Sequence, residues 1–433
     1  MKTFVAAVLL LSCSAAASAE TLSLKEAQRR AGGESPTALA GEAAADAARA
    51  GVDGANAQFL PQLNISETYL RTDDPVAVFG GKLQQGKFGA ADFALPSLNN
   101  PSPINHWITR FEVNQPIFRS GSDWAKRRAA VEMFHARTHL TAFEKTGAKL
   151  AATRLYYAAA ALSRQMAALN DGIGRLRRLE SSYELAEAKT SASTTSHLVA
   201  RSVRLSLEAM LTRSDGERKK ALRDLNALMG QDPRTPLVLS DPLPAVRAPE
   251  PRRDLGPRGA REDIRASASG KEAARANKDA ALRRWGPEIR AFGAYNLFTG
   301  NFQDSETSYE AGFRLDWSVF DWGRHGDIRR AKAEARRAEE LHRGAELQGV
   351  ADLENAREGL SSAVAAYRTL SNASKTADEG LNVAAQRYQE GTLPLMDYAQ
   401  AVQNWVEMRL QLVDGHLAAA QASAEYDFQR GDL

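Results

Sequence analysis

The chain has 433 residues, 25% of them charged, with 56 Lys and Arg against 53 Asp and Glu and a formal net charge of +3. That length holds two or three ordinary domains, and the near balance of charge excludes the concentrated basic surface expected of a nucleic-acid binder. A single cysteine, Cys13, excludes an intramolecular disulfide, so the fold must rely on packing or on partner subunits.

Lys2, an apolar run from Phe4 to Leu11, and Ala17-Ser18-Ala19 before Glu20 read as an export signal over residues 1–19. Leu10-Leu11-Ser12-Cys13 also fits a lipobox loosely, so the alternatives are cleavage after Ala19, which removes the cysteine and is the preferred reading, acylation at Cys13, and, least favoured, a retained anchor. No later segment approaches about 18 consecutive apolar residues, so no helix of the mature chain is expected to span a membrane, and any insertion must use strands.

Thr21 to Ala31 has the pattern of a short amphipathic helix closed by Gly32-Gly33. Ser35-Pro36 then forms a helix start, a capping serine with proline at the first helical position, and the alanine-rich stretch behind it runs to about Gln58. After Pro61, Leu63, Ile65 and Tyr69 alternate with Gln62, Asn64 and Ser66, which predicts a strand over about 62–71. Asp73 to His106 is rich in Gly, Asn, Pro and Phe without a sustained period and reads as a long loop; Asp73-Asp74 has the chemistry for a cation, but turn residues explain it better. A second strand is expected over 107–118, with Trp107, Phe111 and Val113 on one face and Arg110, Glu112 and Asn114 on the other.

From Ser122 the chain meets no proline until Pro233, and Leu155, Ala159, Leu162, Met166, Leu169, Ile173 and Leu176 fall at alternating four and three spacing. That is a coiled-coil seam in a helix of about 122–189. The polar run Lys189 to Ser196 is expected to reverse the chain, and a return helix reaches about Gly230. Residues 231–256 hold six of the sixteen prolines and read as a linker.

The pattern then repeats. A helix from about Ala260 to Trp285 precedes Pro287; strands are expected over 288–297 and 309–320, a helix over about 323–390, a reversal at Gly391 to Asp397, and a return helix to about 429. In the second of these strands Tyr309, Phe313 and Trp317 share a face opposite Arg314 and Asp316. The join Phe111 to Gly121 followed by Lys126-Arg-Arg-Ala129 matches Phe313 to Gly323 followed by Ile328-Arg-Arg-Ala331. The chain thus divides into a first structural repeat over 20–230 and a second over 257–433.

A helix of about 68 residues spans on the order of 100 Å and needs partners along its length. Strands of about 11 residues are long enough to cross an outer membrane when tilted, yet four cannot close a barrel, for which about eight is the practical minimum. The barrel must be shared between chains: three would supply twelve strands and a pore wide enough for solute, two a narrow eight, and three is the better fit. The fold class is therefore mostly α with a small β part, a long α-helical coiled-coil barrel continuous with a four-strand contribution per chain to a trimeric, twelve-stranded transmembrane β-barrel.

Leu22-Ser-Leu-Lys-Glu-Ala27, the proline entering each first strand (Pro61, Pro287), the phenylalanine-to-glycine strand exits, and Tyr388-Gln-Glu-Gly391 with Asp397 six residues on are features that, in this order and duplicated, resemble the TolC-like outer-membrane efflux protein family. The resemblance covers essentially the whole mature chain. It implies a homotrimer in outer-membrane lipid with a helical periplasmic tunnel, docked on an inner-membrane transporter through a periplasmic adaptor of the membrane-fusion type. It also implies that the two helix reversals form the periplasmic aperture. The family pairs a tyrosine and an arginine around the second reversal with an acid at the first; Tyr388 fits, but Leu393 and Ser196 stand at the other two positions. Arg387, Glu390 or Asp397 against Thr194, Thr195 and Ser196 is the alternative set of aperture contacts.

No nucleophile elbow, phosphate loop or metal-ligand cluster is present in the sequence, so neither an enzyme nor a cofactor is expected. His135 and His139 have a metal-compatible spacing but no acid between them, and an exposed helix face is the better reading. Trp107, Phe111, Tyr309, Phe313 and Trp317 are expected to face lipid, and Arg110, Glu112, Arg314 and Asp316 the lumen. The competing function is a soluble periplasmic coiled-coil adaptor or scaffold, which explains the helices and leaves four membrane-length strands without a purpose.

Overall fold

The structure, a computed structural model, describes residues 20–184, 191–248, 261–301 and 303–433. The export signal and Cys13, the end of the expected first long helix with the start of the first reversal (residues 185–190) and the end of the linker (residues 249–256) lie outside the described residues.

The elements follow in the order β1 (Glu20–Leu22), α1 (Leu24–Gly33), α2 (Pro36–Ala57), β2 (Gln62–Thr72), α3 (Pro75–Gln84), α4 (Leu95–Asn99), β3 (Ile104–Arg119), α5 (Ser122–Glu184), α6 (Ser191–Leu228), β4 (Leu237–Leu239), α7 (Glu262–Arg283), β5 (Glu288–Thr299), β6 (Ser305–Asp316), α8 (Trp322–Gln389) and α9 (Leu395–Arg430). The chain forms two compact units, one of residues up to Ala43 with His139–Arg265 and Gly344–Leu433, the other of Ala44–Thr138 with Ala266–Arg343.

The first unit is helical. Its seam is the one the spacing predicts: Ala159, Leu169, Ile173 and Leu176 of α5 are buried, the last three against Ala200 and Leu207 of α6, Leu381 of α8 and Val402, Trp405 and Val406 of α9. Gly172 permits this approach, since a Cβ there would lie 2.4 Å from Val406 Cγ2. A second cluster gathers Leu22, Ala27, Ala31, Tyr156, Leu225, Met229 and Leu237. The second unit holds an antiparallel sheet in the order β2-β3-β5-β6, with register pairs running the length of each strand.

Four expectations are corrected. The helix expected from Thr21 is preceded by β1, which pairs in parallel with β4 inside the supposed linker, Leu22 opposite Leu239. Three-residue strands lie below what periodicity resolves. The loop over 73–106 contains α3, α4 and a 3-10 turn at Ala90–Phe93, and β3 starts at Ile104. Asp74 is the cap of α3, accepting from Ala77 N at 2.8 Å, which is the helix-start role of an Asp before a proline. The strand placed at 309–320 runs over Ser305–Asp316, so Trp317 follows it. Lastly, Ser191 to Ser196, expected to turn, is already the start of α6.

The two repeated joins also differ. In the first, Pro116 sits within β3, where it donates no ladder hydrogen bond, and the register with β5 shifts between Pro116 and Phe118. The strand then continues to Arg119, and Ser120 (φ 54°) and Gly121 (φ 73°) turn through left-handed conformations into α5. Ser120 Oγ donates to Pro287 O at 2.8 Å, tying this turn to the entry of β5. In the second join the strand stops at Asp316, and Gly323 is the second residue of α8, its N–H held by Asp321 Oδ1 at 2.8 Å.

Candidate functional site

The sheet has two chemically distinct faces because side chains alternate along each strand. Across the four strands, Ile65, Phe111, Tyr295 and Tyr309 form one row of paired positions, and Leu63, Val113, Gly293 and Ala311 the row two residues on. Phe313 and Leu315 extend this face along β6, and Trp107 extends it along β3, where its ring packs on Tyr69 with centroids 4.5 Å apart. These side chains lie open: Tyr309 is 83% exposed and Phe313 79%, with Leu63, Ile65, Phe111 and Val113 also exposed. Glu67 interrupts the face and accepts from Thr109 Oγ1 across the β2–β3 pair. Trp317, beyond the strand, is exposed and donates its indole N–H to Trp285 O at 3.1 Å.

The opposite face carries a charged network. The Arg110 guanidinium reaches Glu112 Oε2 at 3.0 Å, Glu310 Oε1 at 2.5 Å and Asn296 Oδ1 at 3.3 Å, so three strands meet on one cation. Asn114 donates to Glu112 Oε1 at 2.5 Å, Arg290 pairs with Asp316 at 2.8 Å, and Arg314 lies over the Phe292 ring at 5.7 Å. All four residues placed on the polar face by alternation, Arg110, Glu112, Arg314 and Asp316, occur there together.

Among the described residues both outer strands lack a second neighbour: β2 pairs there only with β3 and β6 only with β5. Nearly every residue of β2 and β6 is exposed on both faces. An open edge of this length is a row of unpaired N–H and C=O groups.

The helix reversal between α8 and α9 is built by local rules. Gly391 (φ 73°) ends α8 in the left-handed region, Gly391 N donates to Tyr388 O at 3.1 Å, and Thr392 N and Leu393 N donate to Arg387 O at 2.9 and 3.2 Å. Leu393 turns back into the apolar cluster that includes Tyr388, the hydrophobic contact that accompanies such a cap. The Tyr388 ring stacks on buried Tyr398 at 5.2 Å and 13°. Arg387, Glu390 and Asp397 are exposed, and Gln386 Nε2 donates to Glu390 Oε1 at 2.8 Å. Asp397 stands in the first turn of α9, where a carboxylate meets the positive end of the helix dipole. Thr194, Thr195 and Ser196 all belong to the opening of α6; Thr195 is exposed and Ser196 half-buried, and the side chain of Thr194 lies outside the described residues.

Two clasps near these reversals escape sequence reasoning. Arg204 of α6 makes a two-pronged contact with Glu180 of α5 at 2.9 and 3.0 Å and reaches Glu208 at 2.8 Å, which itself pairs with Arg177 at 2.7 Å. Hydrogen bonding to Glu180 holds the Arg204 guanidinium above its ordinary range, and Arg177 and then Arg204 hold the Glu208 carboxyl below its own. In the other hairpin, Asp378 of α8 takes both Arg409 (2.8 and 2.9 Å) and the Trp405 indole N–H (2.6 Å) from α9. Arg175 of α5 lies over the same Trp405 ring at 5.2 Å. The one local signal was the Arg204–Glu208 spacing of four on α6; the partners sit 24 and 31 residues away in sequence.

Of the paired histidines, His139 binds Glu262 Oε2 through Nδ1 at 2.6 Å, and His135 lies 3.8 Å from Glu132. Among the described residues there is no group of three or more His, Cys, Asp or Glu placed to hold a metal ion, and no helix is long and apolar enough to cross a membrane.

The family model described as "Outer membrane efflux protein" matches residues 258–426. No curated protein sequence matches the chain. Among solved structures, the CmeC outer membrane channel of Campylobacter jejuni is similar over 94% of this chain and 85% of its own, at 14% identity and a TM-score of 0.81. The open state of the MtrE outer membrane channel of Neisseria gonorrhoeae is similar over 94% and 88%, at 16% identity and a TM-score of 0.79. The outer membrane protein VceC of Vibrio cholerae is similar over 94% and 96%, at 17% identity and a TM-score of 0.77. Residues 258–426 thus match the outer membrane efflux protein family, and the chain as a whole shares the fold of these TolC-like outer membrane channels.

Proposed function

We propose that three copies of the chain close a twelve-stranded barrel in the outer membrane and that the helices continue it as a periplasmic tunnel, a passive exit duct for small molecules or a secreted polypeptide. The observation that carries this reading is the sheet with two open edges and one exposed aromatic face. Each strand is antiparallel to its neighbour, so β6 runs opposite to β2 and a neighbouring copy's β2 beside β6 continues the ladder. Lipid requires that closure, since an unpaired backbone group in hydrocarbon costs several kcal/mol. The 11 residues of β2, at a rise of about 3.3 Å and a tilt of about 45°, cover about 26 Å, the height of an outer-membrane apolar band.

In this reading Trp107, Phe111, Tyr309 and Phe313 meet lipid, Trp317 meets its boundary, and the Arg110 network lines the lumen. The two reversals, with Thr194 to Ser196 on one and Arg387, Tyr388, Glu390, Gly391 and Asp397 on the other, form the periplasmic aperture and the surface that meets an adaptor, behind which an inner-membrane transporter supplies the energy. Leu393 stands where the family has an arginine and is engaged in the helix cap, so the exposed Arg387, Glu390 and Asp397 carry the polar contacts of the aperture.

Protein extracted from outer membranes and inserted into planar bilayers tests this. Discrete channels are expected, with a conductance altered by Asp397→Ala and Ser196→Ala. An unaltered conductance removes those two residues from the aperture, and recovery of the protein wholly in the soluble periplasm sinks the duct.

A further inference from the structure

The helices join the sheet at Gln62, Arg119, Glu288 and Asp316, so the connections β2–β3 and β5–β6 lie at its other end. The two are unequal: residues 73–103 join β2 to β3, and residues 300–304 join β5 to β6. The longer one is folded. Val78 of α3 is buried, Lys82 pairs with Asp92 at 2.7 Å, Asp92 also accepts from Gly89 N, and Phe79, Phe88 and Phe93 pack edge to face in series at 4.7 and 5.1 Å.

Its contacts with the sheet fall on even-numbered positions, the face of Arg110 and Glu112. His106 of β3 is buried between two glutamines of the connection: Gln85 Nε2 lies 2.8 Å from Nδ1 and Gln84 Oε1 lies 3.0 Å from Nε2. Donation from Gln85 and acceptance by Gln84 fix the ring as the Nε2–H tautomer. Gln85 Nε2 is also 2.8 Å from Asn105 O, and the imidazole stacks on Phe298 of β5 at 5.7 Å and 7°. Gly81 lies so close that a Cβ would meet Ile104 Cδ1 at 2.7 Å. Further across, Gly86 (φ 64°) brings the backbone to Glu306 of β6, where a Cβ would sit 3.0 Å from Oε1. The connection therefore crosses from β3 over β5 to β6, on one face of the sheet.

We infer that the β2–β3 connection is a fixed cap over the lumenal face at the outer mouth of the barrel, and that it limits the size of solute that leaves; the inference rests on the shared-barrel reading above. Each copy brings one cap, so a closed barrel carries three at one exit. His106 and the two glutamines position the cap, and Gly86, in a backbone conformation that disfavours a side chain, sets its reach.

The test uses full-length protein from outer membranes in planar bilayers. Replacing residues 76–102 by a short Gly-Ser turn is expected to raise single-channel conductance several-fold and to admit vancomycin into cells. The double variant Gln84→Ala, Gln85→Ala, which keeps the strands intact, is expected to raise conductance in the same direction. Deletion or double-alanine channels with wild-type conductance overturn the cap while leaving the duct standing. Wild-type protein that forms no channel at all overturns both.

Discussion

Tyr156 joins distant parts of the first unit. Its ring is fully buried on α5, and its hydroxyl donates to Leu22 O at 3.0 Å and accepts from Asp241 N at 2.8 Å. Asp241 Oδ2 in turn accepts from Leu24 N at 2.7 Å, so one phenol links the start of the chain to the segment behind β4. Burial pushes that phenol above its ordinary range, since the charged form has no water to face. Tyr156→Phe keeps the ring and strands Asp241 N, while Leu22 O retains Ser240 N at 3.0 Å. The expected cost is about 1–3 kcal/mol, the penalty of an unsatisfied donor. It should appear as a lower thermal midpoint of the detergent-solubilised protein, and a midpoint equal to wild type would show the node to be dispensable. Tyr156 is legible in the sequence only as an apolar position beside the heptad seam; its hydroxyl's partners lie 134 and 85 residues away, and no local pattern encodes them.

At the scale of elements, the long helices and the four strands are legible because each obeys one period over many residues. Trp322–Gln389 differs from the expected helix by one residue at each end, and Gln62–Thr72 and Glu288–Thr299 start where the alternation starts. The misses occur where no period is sustained. The α3–α4 segment is held by its aromatic series and by His106, and the β1–β4 pair by a partner more than 200 residues away. Duplication misled in one respect, because Gly121 and Gly323 match in sequence but do different things. Gly121 has φ 73° and Gly323 opens a helix, so the same substitution has opposite signs. Gly121→Ala forces a side chain into the left-handed region at a cost of about 1–2 kcal/mol. Gly323→Ala is neutral or gains up to about 1 kcal/mol of helix propensity. Thermal midpoints of the two variants should move apart, and equal shifts would contradict the distinction.

For the whole molecule, the helix reversals were the least legible part, since matching motif positions does not match their contacts: Leu393 takes up a packing role, and Thr194 to Ser196 belong to a helix rather than a turn. The two faces of the sheet were legible because two-residue alternation fixes which side chains share a side, and Arg110, Glu112, Arg314 and Asp316 lie together on one of them. The central claim is that each chain supplies four strands to a shared wall. Native mass spectrometry of protein extracted by mild detergent from purified outer membranes tests it most directly. A mass of three mature chains that survives in detergent and dissociates on heating is expected. A single-chain mass from the membrane fraction would contradict it.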